Sequence, residues 1–199
     1  MSHFNLPLGE AECWFEPHFL GQAEAHALLG LLQQEIPWQQ DEITLFGKQQ
    51  KIPRQQCFMG DADLKYAYSG FTFTTHAWHT AVLALCQQIN QNLGSDFNAV
   101  LLNLYRDGAD SMGWHCDDEP ELGQNPNIAS LSLGASRRFL FKNKADKQQK
   151  HEVLLNSGSL LWMGDQVQDN WLHSLPKTTK VSAPRINLTF RKILPERQN

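Results

Sequence analysis

Downstream of residue 99 the chain reads as six short apolar-rich runs, at 100–105, 128–133, 138–142, 152–155, 159–163 and 185–192, each closed off by turn residues. Runs of that length, broken that often, predict strands rather than helices. Asp107-Gly108, Leu133-Gly134 and Asn156-Ser157-Gly158-Ser159 supply the tight reversals between them. Strands of this kind hide their apolar faces by packing sheet on sheet or by closing into a barrel.

The first half has a different character. Ala25, Leu28, Leu29 and Leu32 recur at helical spacing in 22–34, as do Val82, Leu85 and Ile89 in 78–93, with Gly21 and Gly94 bracketing the two segments. Residues 43–49 read as two short strands meeting at a glycine turn, and Phe71-Thr72-Phe73-Thr74 alternates at period two. Helices first and strands afterwards predict a mainly β fold with flanking helices (α+β), a jelly roll buttressed by helices. With 199 residues, 41% of them apolar, and no linker, repeat or low-complexity segment, one domain over 1–199 is expected. About 1–99 would form the helical support and about 100–194 the strand core, with a polar tail from Pro195 that frays.

No stretch approaches the ~18 consecutive apolar residues of a membrane span. Glu10, Glu12 and Glu16 stand near the start with no basic segment before an apolar one, so neither membrane insertion nor secretion is expected. Cys13, Cys57, Cys86 and Cys116 have no paired spacing and read as free thiols in a reducing compartment, the cytoplasm, or the nucleus in a eukaryote. A net charge of −4 argues against nucleic acid, yet residues 1–99 carry 4 basic and 10 acidic groups and residues 100–199 carry 13 and 11. Arg137, Arg138, Lys142, Lys144, Lys147 and Lys150 fall in one run against the single acid Asp146. Such a run predicts a patch that meets phosphate, although a solvated hairpin is the commoner fate.

The strongest chemical signal is His115-Cys116-Asp117. In an extended strand, side chains two apart share a face, so His115 and Asp117 can reach one ion. His173, in Trp171-Leu172-His173-Ser174, supplies a third ligand after 55 intervening residues. Two imidazoles and one carboxylate form the facial triad that leaves positions open on iron(II). The run at 185–192 places Arg185, Asn187, Thr189 and Arg191 on one face and Ile186, Leu188 and Phe190 on the other. A polar face without Lys or Glu predicts a lined cavity, in which two guanidiniums grip a dicarboxylate. Asn103 and Tyr105 alternate with Leu102 and Leu104 in the same way. His76 and His79 have no third ligand at a useful spacing and are expected to cap a helix or lie at the surface, and Met112, Trp114, Trp162 and Trp171 are expected to pack in the core.

At these residues the chain resembles the AlkB family of iron(II)- and 2-oxoglutarate-dependent nucleic-acid dealkylases, above all the branch that repairs duplex DNA. The similarity runs from about residue 43 to residue 194. It passes through Leu45-Phe46-Gly47-Lys48, Ile52-Pro53-Arg54, Gly60-Asp61-Ala62, Tyr66-Ala67-Tyr68-Ser69-Gly70, Asn103-Leu104-Tyr105, His115-Cys116-Asp117-Asp118-Glu119, His173-Ser174-Leu175-Pro176 and 183–192. The resemblance implies a double-stranded β-helix, a form of jelly roll, with an N-terminal nucleotide-recognition lid that includes the Phe46 hairpin and residues 54–70.

It implies further that His115, Asp117 and His173 hold Fe(II), and that Asn103, Tyr105, Arg185, Asn187, Thr189 and Arg191 hold the cosubstrate 2-oxoglutarate, with Arg191 on the distal carboxylate. Dioxygen completes the reaction, which demethylates N1-methyladenine and N3-methylcytosine and releases formaldehyde, succinate and carbon dioxide. Such lesions are cationic and pair poorly, which lowers the cost of flipping the base. Tyr68 and His115 would stack on it, Tyr66, Asp118 and Glu119 would lie near its edge, Phe46 would fill the gap left in the duplex, and Arg54 and Lys177 are single charges for the backbone. Alkylated DNA is thus the expected partner, duplex before single strand, for a monomeric enzyme. The alternatives are the same chemistry on RNA, protein or a small molecule, or a non-catalytic jelly-roll binding module.

Overall fold

The computed structural model describes residues 3–45, 48–62, 64, 67–68, 71–72 and 74–194. In chain order the elements are β1 (Phe4–Asn5), β2 (Cys13–Glu16), α1 (Gln22–Glu35), β3 (Glu42–Leu45), β4 (Lys48–Lys51), β5 (Gln55–Gly60), β6 (Ala67–Tyr68), β7 (Phe71–Thr72), β8 (Thr75–His76), α2 (Thr80–Leu93), β9 (Ala99–Tyr105), β10 (Met112–His115), a 3-10 turn at Pro120–Leu122, β11 (Ile128–Gly134), β12 (Arg137–Asn143), β13 (Lys150–Leu155), β14 (Leu160–Met163), α3 (Val167–Asn170), β15 (Trp171–Leu175) and β16 (Arg185–Arg191). Among the described residues no helix is long and apolar enough to cross a membrane.

Eight strands form one sheet in the order β1-β2-β14-β11-β16-β9-β5-β8, and four form a second in the order β10-β15-β12-β13. The strands from β9 to β16 therefore divide four and four between two sheets. Leu101, Ile128, Leu161 and Met163 of the larger sheet share one apolar cluster with Phe139, Phe141, Val153, Leu155, Trp171 and Leu175 of the smaller. This is the expected jelly roll. A second cluster lies on the other side of the larger sheet, where Ala25 and Leu32 of α1 and Val82, Leu85 and Ile89 of α2 cover Leu102, Leu104, Leu131, Ile186, Leu188 and Phe190.

The helices explain why β16 can present its polar side to the interior. Its apolar residues already have a cover of helices, and all seven residues of the strand are buried. The same sandwiching hides β5 from any period-two reading, because its residues from Gln56 to Gly60 are buried whichever face they occupy. The division expected near residue 100 does not follow the sheet. Strands β1, β2, β5 and β8 all join the larger sheet, β2 pairing with β14 and β5 with β9. Gln55–Gly60 thus belongs to the sheet and not to a lid spanning 54–70. The hairpin at 43–49 is present as β3 and β4, paired through Leu45 and Lys48.

Helix α2 starts at Thr80, two residues later than its apolar spacing suggests. His79 caps its N-terminus, with Nδ1 accepting the Ala81 N–H at 3.3 Å and Nε2 reaching Glu35 of α1 at 2.9 Å. Its expected capping role is met, and the same ring ties the two helices together. Cys13, Cys57 and Cys86 are buried free thiols, and burial pushes Cys57 and Cys86 up to about 12.

Gly158, in the turn before β14, has φ +81°, and a Cβ there would stand 2.6 Å from the Leu20 carbonyl oxygen. That carbonyl cannot move freely, because Leu20 N–H donates to Gly158 O at 2.9 Å while Gly158 N–H donates to Ser132 O at 2.8 Å. Gly158→Ala is expected to destabilise the protein by roughly 1–3 kcal/mol. The urea midpoint should fall with an unchanged slope.

Candidate active site

Antiparallel pairing of β16 with β9 sets Arg185 opposite Tyr105 and Asn187 opposite Asn103, and its pairing with β11 sets Thr189 opposite Ser130 and Asn187 opposite Ser132. Alternation turns these side chains into the space between the sheets. There all of them but Ser132 join Met112, His115, Asp117, Phe139, Met163, His173, Leu175 and Arg191 around one cavity. Its polar wall is cross-braced: Asn187 Nδ2 donates to Ser130 Oγ at 2.8 Å, Thr189 Oγ1 to Asn187 Oδ1 at 3.0 Å, and Arg185 to Ser132 Oγ at 2.9 Å. Ser130 and Ser132 were not singled out by motif reasoning, although their period-two placement in Ser130-Leu131-Ser132 is the signal that identifies them.

The smaller sheet brings the candidate ligands to the opposite wall. β10 is its edge strand, and His115, the strand's last residue, stands opposite His173 of β15. Asp117 follows just beyond the strand end, so the His-x-Asp spacing works through a strand and the loop after it. The ligand atoms of His115, Asp117 and His173 all lie within 4.8 Å of one another. The His115 and His173 rings meet edge to face at 4.2 Å, His173 stacks on Phe139 at 5.3 Å, and His115 Nδ1 is 2.9 Å from Gly113 O.

Charge is arranged for a cation at this point. Burial would raise the Asp117 carboxyl, but the Arg191 guanidinium at 3.1 Å and the two imidazoles hold it down to about 2. Burial, with the neighbouring His115, lowers His173 to about 3, and burial lowers His115 as well. The ionised carboxylate and neutral imidazoles are the forms that ligate metal. Among the described residues His173 Nδ1 is buried with no hydrogen-bond partner, and Asp117 Oδ1 has only its ion contacts with Arg191 at 3.1 Å and His115 Nε2 at 4.0 Å. One nitrogen and one oxygen with such unmet capacity, set within ligand distance of the His115 imidazole, fit an iron(II) ion.

At the other end of the cavity Tyr105 lies between two guanidiniums, with Arg185 5.3 Å and Arg137 5.9 Å from its ring centroid. Burial lowers Arg185 to about 10, opposed by Tyr105, so it is charged at neutral pH. Among the described residues Arg185 Nε is buried with no hydrogen-bond partner. The two arginines of β16 are therefore unequal. Arg191 sits beside the candidate ligand Asp117, and Arg185 lies at the far end, so the position remote from the triad that was expected of Arg191 is occupied by Arg185.

Other expected positions fall differently. Arg54 is buried, its Nε donating to Asn103 Oδ1 at 2.9 Å, so it braces the cavity wall from within and is not placed to meet a phosphate. Asp118 is exposed and accepts from Cys116 Sγ at 3.1 Å, while Glu119 is half-buried at the start of the 3-10 turn. Phe46 and Tyr66 lie outside the described residues, as does the side chain of Tyr68.

The basic run is less free than its composition suggests. Arg137 is buried and donates to the carbonyls of Asp107, Asp110 and Pro176, Arg138 pairs with Glu152 at 2.6 Å, and Lys144 donates to Gln168 O at 2.8 Å. Lys147 and Lys150 remain exposed. Trp162 and Trp171 are core residues as expected, but Trp114 is not. With His115 turned inward, the preceding residue faces out, and Trp114 is 41% exposed with Lys142 Nζ 4.2 Å from its ring centroid.

Residues 12–191 match the 2OG-Fe(II) oxygenase superfamily. Over 188 residues the chain is 40% identical to the DNA oxidative demethylase ALKBH2 of Mus musculus, covering 89% of this chain and 79% of that protein. Over 204 residues it is 38% identical to the alpha-ketoglutarate-dependent dioxygenase alkB homolog 3 of Bos taurus, covering 96% and 69%. Among solved structures, OsALKBH1 superposes with a TM-score of 0.63 at 18% identity, covering 96% of this chain and all of that one, a likeness of fold.

Proposed function

The chain belongs to the 2OG-Fe(II) oxygenase superfamily and, within it, to the AlkB family of dealkylases, and we propose on that basis that it repairs DNA by removing methyl groups from N1 of adenine and N3 of cytosine. It is an Fe(II)- and 2-oxoglutarate-dependent dioxygenase. The observation that supports the reaction is the cavity itself, with a candidate metal-ligating triad at one end, a buried guanidinium at the other and hydrogen-bonding side chains between, while the choice of DNA rests on the likeness to DNA oxidative demethylases. When bound, iron(II), 2-oxoglutarate and dioxygen supply the oxidising power that hydroxylates the N-methyl carbon, after which formaldehyde leaves and the base is restored.

The chain's own groups bind and orient. His115, Asp117 and His173 hold the metal, kept in ligating form by burial and by Arg191. Arg185, with Tyr105 and Ser132 beside it, holds the distal carboxylate of 2-oxoglutarate. Asn103, Asn187 and Thr189 line the wall between, and the apolar side chains of Leu101, Phe139 and Met163 keep water from the centre. No protein nucleophile is required, because the hydroxylated product collapses unaided.

The damaged base is selected by its weak pairing and its positive charge. Asp118, exposed beside the ligand Asp117, offers a carboxylate to that charge. Tyr68 and His115 stack on the base, Tyr66 and Glu119 lie at its edge, and Phe46 enters the gap in the duplex. The test is formaldehyde release from methylated adenine and cytosine in duplex DNA, single-stranded DNA and RNA of one sequence. Release from DNA supports the reading, and release from none of these substrates with iron and 2-oxoglutarate present overturns it.

Duplex preference has its own test. Phe46→Ala is expected to lower the ratio of duplex to single-strand rates roughly ten- to hundredfold, since one aromatic stacking partner contributes ~1–3 kcal/mol and only the duplex has a gap to fill. The ratio should be measured at equal salt, because phosphate contacts shift both rates with ionic strength. An unchanged ratio would remove Phe46 from the flipping step.

A further inference from the structure

Asp117 stands in a loop, not in a strand, yet its carboxylate must be held as firmly as the imidazoles that β10 and β15 fix. Its backbone N–H donates to Gln168 Oε1 at 3.0 Å. Gln168 lies in α3, between Met163 at the end of β14 and Trp171 at the start of β15, and is only 1% exposed. Its side-chain nitrogen faces Met163 Sδ at 3.9 Å, and its carbonyl accepts from Lys144 Nζ at 2.8 Å. The turn is held a second time through Lys144 N–H, which donates to Asn170 O at 2.8 Å. Gln168 therefore joins the loop that carries the carboxylate ligand to the segment leading into His173 and to the end of β12. It does not line the cavity and touches no reacting group.

We infer that Gln168 is a positioning residue for the metal centre, its side-chain oxygen fixing the Asp117 backbone and so the place of the carboxylate. This rests on the assignment of His115, Asp117 and His173 as ligands. A buried N–H that loses its acceptor turns or shifts to find another, and a carboxylate on the same residue moves with it. Residues that orient ligands in this way typically alter metal affinity ten- to a hundredfold when replaced.

The probe is cobalt(II), added anaerobically to the metal-free protein and followed by its visible ligand-field bands, with thermal unfolding of the metal-free form measured alongside. Gln168→Met keeps the length of the side chain and removes the acceptor, and it should weaken cobalt binding about ten- to a hundredfold and alter the bands. Gln168→Glu keeps an acceptor oxygen, and it should bind cobalt within about threefold of wild type with the original bands. Wild-type affinity and spectrum in Gln168→Met, or equal weakening in both variants, would overturn the inference, the second result assigning the effect to packing. Should Gln168→Met not fold, Lys144→Met releases the same turn from its other side and should weaken binding about three- to tenfold; an unchanged affinity there also overturns the inference. Asp117→Asn separates the two levels, because wild-type cobalt binding by that variant would refute the ligand assignment itself.

Discussion

His173→Ala and Asp117→Ala are each expected to reduce product formation by about a thousandfold or more, equivalent to losing the several kcal/mol of transition-state stabilisation that a metal supplies. Added iron should not restore the rate. The two variants should differ in stability. Asp117 and Arg191 form a buried ion pair at 3.1 Å, and removing one partner of such a pair leaves the other charge in the interior, at a cost of roughly 3–5 kcal/mol. His173 is neutral in the folded protein, because burial and the nearby His115 lower it to about 3, so its removal strands no charge. Single-turnover formaldehyde release checks the first expectation and urea unfolding of the metal-free proteins checks the second. Near-normal turnover by His173→Ala would remove it from the ligand set. Asp117→Ala as stable as wild type would show that Arg191 finds equal compensation elsewhere in the cavity.

What the sequence makes legible depends on whether one face of an element differs from the other. The six runs after residue 99 correspond to β9, β11, β12, β13, β14 and β16 with ends shifted by no more than two residues, because turn residues delimit each of them. The polar stripe of β16 is legible for the same reason, since helices take its apolar side and the cavity takes its polar side. β2 and β5 were not anticipated. Cys13-Trp14-Phe15-Glu16 and Gln55-Gln56-Cys57-Phe58-Met59-Gly60 show no alternation because the larger sheet is covered on both sides, and nothing local to them says that β2 will pair with β14 or β5 with β9.

Spacing picked out His115, Asp117 and His173, and the fold brings their ligand atoms within 4.8 Å of one another. Gln168 escaped because a glutamine in a four-residue helix has no pattern, and its role appears only when residue 117 is brought to it across 51 positions. Trp114 and Arg137 mislead in opposite directions. An aromatic between ligands suggests core and an arginine in a basic run suggests surface, yet alternation from His115 turns Trp114 outward, and three carbonyls draw Arg137 inward.

Arg185→Ala is expected to weaken 2-oxoglutarate binding far more than metal binding, and Arg191→Ala to do the reverse. Position separates the two side chains. Arg191 has Asp117 3.1 Å away, so its charge already serves the ligand end. Arg185 is 2% exposed, donates to a neutral serine and shares Tyr105 with a second guanidinium, with no carboxylate paired to it among the described residues. A carboxylate placed there gains charge-assisted bonds that a methyl group cannot replace, each contributing about 1.5–3 kcal/mol. Loss of one such bond is a factor of roughly 10–150, and a bidentate grip doubles the energy at stake. Arg185→Lys keeps the charge but not the fork and should fall between wild type and Arg185→Ala. The measurement is a pair of titrations on each variant, 2-oxoglutarate into the metal-loaded protein without dioxygen, and metal into the protein alone, with affinity for an unmethylated duplex as a control that neither substitution should move. If Arg191→Ala lost 2-oxoglutarate while keeping metal, and Arg185→Ala lost neither, the cosubstrate would lie the other way round in the cavity.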